Sequence, residues 1–357
     1  MRTPHDDLSQ VSTWATPGVM PGIAHGWHGL AWAWLGLVRA GIAPERRRTL
    51  RAIGDRMRGR EPGAGASLFV GRAARPLVAA LASRIDPHGR ELAERAIAEW
   101  VAARSQPRAH DVMTGTAGAL LAAAEIAAHL PGQLPLRFVA GLHDDCRRDL
   151  TAMLRGAARR PIYLGLAHGL AGYVLAVEAG HRAFGFAVPA ELRKRAVATL
   201  ERFAITLDDH EAVFWPQQSP GQRVDAHGWC HGAPGIALAL SACAVLSGWR
   251  GYRPLARRAL VAAAALVSDN PTTCCGALGQ VQILVEAARL SGDGSWLDEA
   301  RRLARRVKPC AADPRRARGL WKGRAGHRFA AWRLACPEQV PFPGLGSLSA
   351  EAERRIT

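Results

Sequence analysis

Two kinds of hydrophobic segment alternate along the chain. One kind is apolar almost without interruption, as in "GTAGALLAAAEIA" from Gly115, "GLAGYVLAVEAG" from Gly169 and "GAPGIALALSACA" from Gly232. The other carries apolar residues at three-to-four spacing with arginine and glutamate between them. Examples are "PHGRELAERAIAEWVAAR" from Pro87, "PAELRKRAVATLERFAITL" from Pro189 and "GSWLDEARRLARRVK" from Gly294. The first pattern predicts a helix buried all round, and the second an amphipathic helix with one face in solvent. A short Gly-x-x-Gly element opens each buried segment. It occurs at Gly26, Gly115, Gly169, Gly232, Gly276 and Gly323, with a degraded copy at Gly71 where Ala74 replaces the second glycine. The intervals between first glycines are 45, 44, 54, 63, 44 and 47 residues.

Seven helical hairpins of this kind stack as an open solenoid or close into a ring. Nearly uniform burial of the first helix favours the ring, because a solenoid exposes one side of that layer. The expected fold is therefore all-α: an α/α toroid of seven hairpins with an inner and an outer ring of helices. It would span residues 1–336, with 337–357 as a Pro/Gly-containing tail, a cap or loose end. The glycines permit tight turns and close backbone approach. Closure would gather seven inner-helix N-termini at one end, a setting that favours anions and thiolates.

Composition narrows the picture. Hydrophobic residues make up 48% of the 357, enough for a sizeable core, while aromatics are only 6%. That balance suits helices packed through small side chains. No apolar run is long and clean enough to span a bilayer, and the first ten residues lack signal-peptide order, so a cytoplasmic protein is expected. The formal net charge is +17, and clusters such as "ERRRTLRAIGDRMRGR" from Glu45 would suit a polyanion. The basic residues are spread over many segments and no nucleic-acid motif accompanies them, so we expect no nucleic-acid partner.

The seven cysteines are an odd number in a large chain, which argues against a disulfide framework. Cys243 and Cys336 lie in or at the end of apolar runs and read as core thiols, while Cys146 and Cys310 carry no evident chemistry. The other three fall in glycine motifs. Aligned on the first glycine, the preceding residue is His25, Val70, Thr114, His168, His231, Cys275 and Lys322; one step earlier stand Ala24, Phe69, Met113, Ala167, Cys230, Cys274 and Trp321. Cys230, Cys274 and Cys275 would thus present three thiolates from two adjacent helix starts, a donor set that suits zinc with one open position. The alternatives are three buried cysteines in repeated turns, or a vicinal disulfide between Cys274 and Cys275, which a reducing compartment disfavours.

The stretches "GLAHGLAGYVLAV", "GWCHGAPGIALAL" and "TTCCGALGQVQIL" resemble the lanthionine synthetase C-like family, across nearly the whole chain. The resemblance implies an α/α toroid with zinc at one end. It implies zinc ligands at Cys230 and Cys274, with Cys275 where the family usually has a histidine, as in a subset of bifunctional synthetases. It implies a catalytic histidine at His168, with Asp111 and His231 as orienting or relaying groups. An arginine often precedes the Trp-Cys pair in the family; position 226 here is alanine, and Arg223 is the nearest candidate. The plainer readings are a turn-capping histidine at His25, His168 or His231, and an N-cap at Asp111.

The implied activity is zinc-dependent addition of peptide cysteine thiols to dehydroalanine or dehydrobutyrine, giving (methyl)lanthionine rings. A dehydrated precursor peptide is the expected partner, with dehydration supplied by a separate enzyme. The alternative is a non-catalytic zinc-containing relative that binds glutathione or modified peptides. A glycosidase or terpene cyclase on the same fold would need paired carboxylates or an aspartate-rich motif, and the helix starts here offer thiols and imidazoles.

Overall fold

The computed structural model describes residues 22–24, 27–39, 41, 46–57, 67–86, 89–103, 111–157, 160–206, 212–219, 221, 224, 227–307, 319–342, 345 and 346. Seven inner helices follow the seven glycine motifs, six of them largely buried: α1 (Trp27–Arg39), α3 (Ala74–Ser83), α5 (Thr116–His129), α7 (Leu170–Phe184), α9 (Ala233–Ser247) and α11 (Ala277–Ser291), while the seventh, α13 (Arg324–Ala335), exposes Arg328, Ala331 and Ala335. Every residue from Thr116 to Ile126 and from Leu170 to Gly180 is buried. Six helices alternate with them: α2 (Arg46–Met57), α4 (Gly89–Ala102), α6 (Leu136–Gly156), α8 (Ala190–Arg202), α10 (Arg253–Ala265) and α12 (Ser295–Ala304). α8 buries Leu192, Ala196, Val197 and Leu200, one stripe of an amphipathic helix, and turns its charges outward except for Arg193, which pairs with buried Glu178 of α7. The sequence predicts seven outer helices; six stand among the described residues. None of the described helices is long and apolar enough to cross a membrane.

A belt of backbone hydrogen bonds closes the ring, and it runs through the turns rather than the helices. Ala24 N–H donates to Phe69 O (3.0 Å), Val70 to Met113 (3.0 Å), Met113 to Ala167 (3.1 Å) and Ala167 to Cys230 (2.9 Å). It continues with Trp229 to Cys274 (3.0 Å), Cys274 to Trp321 (3.1 Å) and Trp321 back to Ala24 (3.2 Å). Every acceptor is the residue two before a repeat's first glycine. The second glycine makes the turn possible by close approach. A Cβ at Gly118, Gly172, Gly235, Gly279 or Gly326 would overlap the carbonyl oxygen six residues earlier. The first glycines that cap these helices are extended, not left-handed: Gly232 has φ −92° and Gly276 φ −155°.

The longest interval, between Gly169 and Gly232, holds extra structure after α8. Strands β2 (Ile205–Thr206) and β3 (Val213–Phe214) pair antiparallel, and β4 (Gln218–Ser219) returns to β1 (Ile162–Tyr163), with Tyr163 opposite Gln218. β1 and β4 thereby lead into the turns that carry His168 and Cys230.

The middle of the ring is filled. Phe69 and Trp229 belong to repeats two and five, which are not neighbours, yet their ring centroids lie 5.2 Å apart. Trp321 meets both, at 5.6 and 5.3 Å. The chain after α13 joins this plug, with Val340, Phe342 and Leu345 buried and Phe342 stacked against Trp229. Polar groups deep in the ring hold it there. Phe342 N–H donates to Glu286 Oε2 (3.0 Å), and Arg333 donates to Val340 O (3.0 Å), to Gln282 O (2.7 Å) and to Glu286. Arg289 also donates to Glu286 (3.2 Å) and to Glu338 O (3.2 Å). The described part of the tail is therefore core, not a loose end.

Candidate active site

All six candidate residues lie at the end of the toroid where the inner helices begin. Cys230 sits in the turn before α9, and Cys274 and Cys275 in the turn before α11. The belt bond from Trp229 N–H to Cys274 O ties those turns together. Cys275 Sγ lies 3.7 Å from Cys230 Sγ and 3.2 Å from Cys274 Sγ, and all three sulfurs fall within 4.8 Å of one another. The thiols are free, so the vicinal disulfide is not formed.

The sulfurs are too close to ionise independently. Contacts with Cys230 and then Cys274 hold Cys275 far below the usual thiol value of 9.0, with Lys322 and His231 adding to the effect. Cys230 is pushed far above that value by its contacts with Cys274 and Cys275 and by burial. One negative charge is easily accommodated, and three would need a cation among them. The spacing suits that cation: four thiolates about 2.3 Å from a tetrahedral zinc stand about 3.8 Å apart. Cys230 and Cys274 are buried while Cys275 is half-buried, which leaves the cluster one approach side.

The remaining cysteines have other surroundings. Cys146 and Cys243 are fully buried, and desolvation pushes both thiols well above their ordinary value, as expected for inert core residues. Cys310, His25, Gly26 and Arg223 lie outside the described residues.

The second half of the site is a carboxylate–imidazole pair. His168 Nδ1 lies 2.7 Å from Asp111 Oδ2. Asp111 Oδ1 accepts from Thr114 N–H (2.7 Å) and Thr114 Oγ1–H (2.9 Å). Burial raises the Asp111 carboxyl, but the hydrogen bonds from His168 and Thr114 outweigh it, and the net shift is downward. An ionised carboxylate accepts, so Nδ1 carries the hydrogen and Nε2 is left for whatever enters. Asp111 thus shapes its turn with one oxygen and orients His168 with the other, but it does not cap the helix as the N-cap reading expects. The helix cap itself is Gly115.

His231 joins the two halves. Its ring stacks on His168 with centroids 5.0 Å apart and planes 24° from parallel, and it follows Cys230 directly in the chain. Gly165 makes room for this turn, since a Cβ there would overlap the His231 backbone. Tyr163 completes the stack, 5.4 Å from the His231 ring and 6.5 Å from the His168 ring, with 41% of its surface exposed. The repeat register misses Tyr163 because it stands six residues before Gly169, on β1. Its only sequence signal is an aromatic residue just upstream of "LGLAHG". Lys322, at the histidine register of repeat seven, favours the ionised form of Cys275 and Cys274 by its charge.

A closed α/α ring with three thiols and an oriented histidine at its helix-start end defines a narrow class of proteins. The sequence matches the family described as "Lanthionine synthetase C-like protein" over residues 23–344, and the chain belongs to that family. Its structure is similar to that of a protein named "Nisin cyclase", with a TM-score of 0.72 at 15% identity, covering 97% of each chain. No curated protein sequence matches the chain.

Proposed function

We propose that the protein is a zinc-dependent cyclase of the lanthipeptide type, closing thioether rings in a dehydrated peptide in the cytoplasm. The observation that carries this reading is the His168–Asp111 pair, linked by the His231 stack to the thiol cluster at Cys230, Cys274 and Cys275. The three cysteines would hold the metal; when bound, zinc supplies Lewis acidity that keeps a fourth, substrate thiol ionised near neutral pH.

The protein's own groups account for the rest. A peptide thiolate adds to Cβ of the dehydroamino acid, forming the S–Cβ bond while the double-bond electrons move toward Cα and its carbonyl. His168, protonated on both nitrogens, delivers the Nε2 proton to Cα, and the proton lost by the thiol balances it. Asp111 fixes the imidazole's orientation by accepting from Nδ1. His231 and Tyr163 form an aromatic wall that restricts the peptide's approach to the Nε2 face and displaces water.

The test is to incubate the protein with a dehydrated peptide containing cysteine and follow alkylatable thiols by mass spectrometry. We expect thiols to disappear with no change in peptide mass, and His168→Asn to stop this. Tight binding by zinc-loaded wild type with every thiol still alkylatable would instead identify a binding protein.

A further inference from the structure

On the outer ring, α6 and the residues just after it carry an arginine-rich groove of about 700 Å³. Asp144, Arg147, Arg148, Thr151, Arg155 and Arg160 line it. Asp144, Arg148, Thr151 and Arg155 follow one another at three-to-four spacing, so they share one face over about 16 Å of helix. Arg147 lies 3.6 Å from Asp144 and Arg148 lies 2.8 Å from Asp145, so the first part of the groove is internally compensated. Arg155 and Arg160 are exposed and form no ion pair among the described residues. The groove therefore ends in two uncompensated guanidinium groups.

We infer that this groove docks an acidic segment of a peptide, with two of its carboxylates on Arg155 and Arg160. The charge pattern selects a peptide over a nucleic acid. Asp144 and Asp145 stand about three turns before Arg155 and cancel the charge of Arg147 and Arg148, so a continuous polyanion gains little there, whereas a peptide places its few carboxylates only where they are wanted. The position gives the docking a purpose, and here the inference rests on the cyclase reading. Arg160 is three residues before Tyr163, a reach of about 10 Å in extended chain, and the Tyr163 ring lies 5.4 Å from His231. A peptide held by its acidic part on the groove would trail its remaining residues over β1 and into the site. The groove raises the local concentration of the reacting part without touching the chemistry.

The experiment measures binding apart from catalysis. A fluorescein-labelled twelve-residue peptide with four glutamates is titrated at low salt into wild type, Arg155→Ala/Arg160→Ala and His168→Asn. Binding should weaken at least tenfold in the double arginine variant, and for a probe with glutamine in place of glutamate, and stay unchanged in His168→Asn. Equal affinity in wild type and the double variant overturns the inference. So does tighter binding of a twelve-nucleotide single-stranded RNA than of the peptide. In turnover, the double variant should raise KM at least tenfold, with kcat unchanged, for a dehydrated peptide carrying the acidic segment, and should handle a peptide without it normally. Failure of all turnover, with the binding difference intact, removes the cyclase reading and leaves the docking site standing.

Discussion

The Trp321 amide donates to the Ala24 carbonyl at 3.2 Å, and with that bond the last repeat meets the first. The two residues are almost the whole chain apart, and both stand two before a repeat's first glycine. The same belt passes through Cys230 and Cys274. The belt that closes the ring thus also sets where the two cysteine-bearing turns stand.

Gly235→Ala should separate these roles only slightly. The added methyl would overlap the Trp229 carbonyl oxygen and displace the turn that bears Cys230. We expect a loss of about 1–3 kcal/mol in urea unfolding, typical of overpacking, together with weaker metal retention in chelator competition.

Metal content tests the thiol cluster directly. Wild type should carry one zinc, and Cys230→Ala and Cys274→Ala should each carry far less, by elemental analysis of folded protein. Cys243→Ala, which alters a buried cysteine distant in role, should keep its zinc.

The Asp111–His168 pair should show in rate and in acid stability. His168→Asn should lower kcat by roughly 10²–10⁴-fold, the usual scale of general acid catalysis. Because folding lowers the Asp111 pKa, its contribution to stability is present above the carboxyl's ordinary 3.8 and is lost as pH falls through the lower folded value. Urea midpoints of wild type and Asp111→Asn should differ at pH 6 and converge in strong acid.

Tyr163 is expected to act through its ring. Tyr163→Phe should stay near wild-type activity, while Tyr163→Ala should lose about tenfold in kcat/KM as the histidine stack loosens. A large loss in Tyr163→Phe would instead assign the chemistry to the hydroxyl.

The plug should be costly to disturb. Phe342→Ala removes a fully buried ring and should cost about 3–5 kcal/mol. Glu286→Ala leaves Arg333 buried without its counter-charge, at a similar cost. Both are measured by urea unfolding, and neither change touches the thiol cluster.

Much of this was legible in the sequence, for a definable reason. A helix buried nearly all round is apolar at nearly every position, so "GALLAAAEIA", with a single glutamate, announces an inner helix without any contact being known. The register of Cys230 and Cys274 is equally visible, because the repeats are nearly commensurate at 44 residues there. The tail was not legible. Val340 and Phe342 are separated by proline and follow no helical or strand period, and their backbone is held by Arg333 on the helix just before and by Glu286 on α11. The groove on α6 was hidden by abundance, since arginine is everywhere in this chain and only the structure shows which guanidinium groups have partners. Tyr163 was hidden because its place is set by pairing with Gln218, far along the chain.

The belt has one more consequence. It is built from main-chain atoms at all seven turns, so its hydrogen bonds do not depend on which side chain stands at each position. Alanine, phenylalanine, methionine, cysteine and tryptophan all occupy it here. The scaffold and the reagents are thereby decoupled, as in a lathe whose turret accepts any tool at any station. Thiols stand at the stations of repeats five and six, and the buried Phe69 and Trp321 rings at those of repeats two and seven, on one and the same main-chain frame.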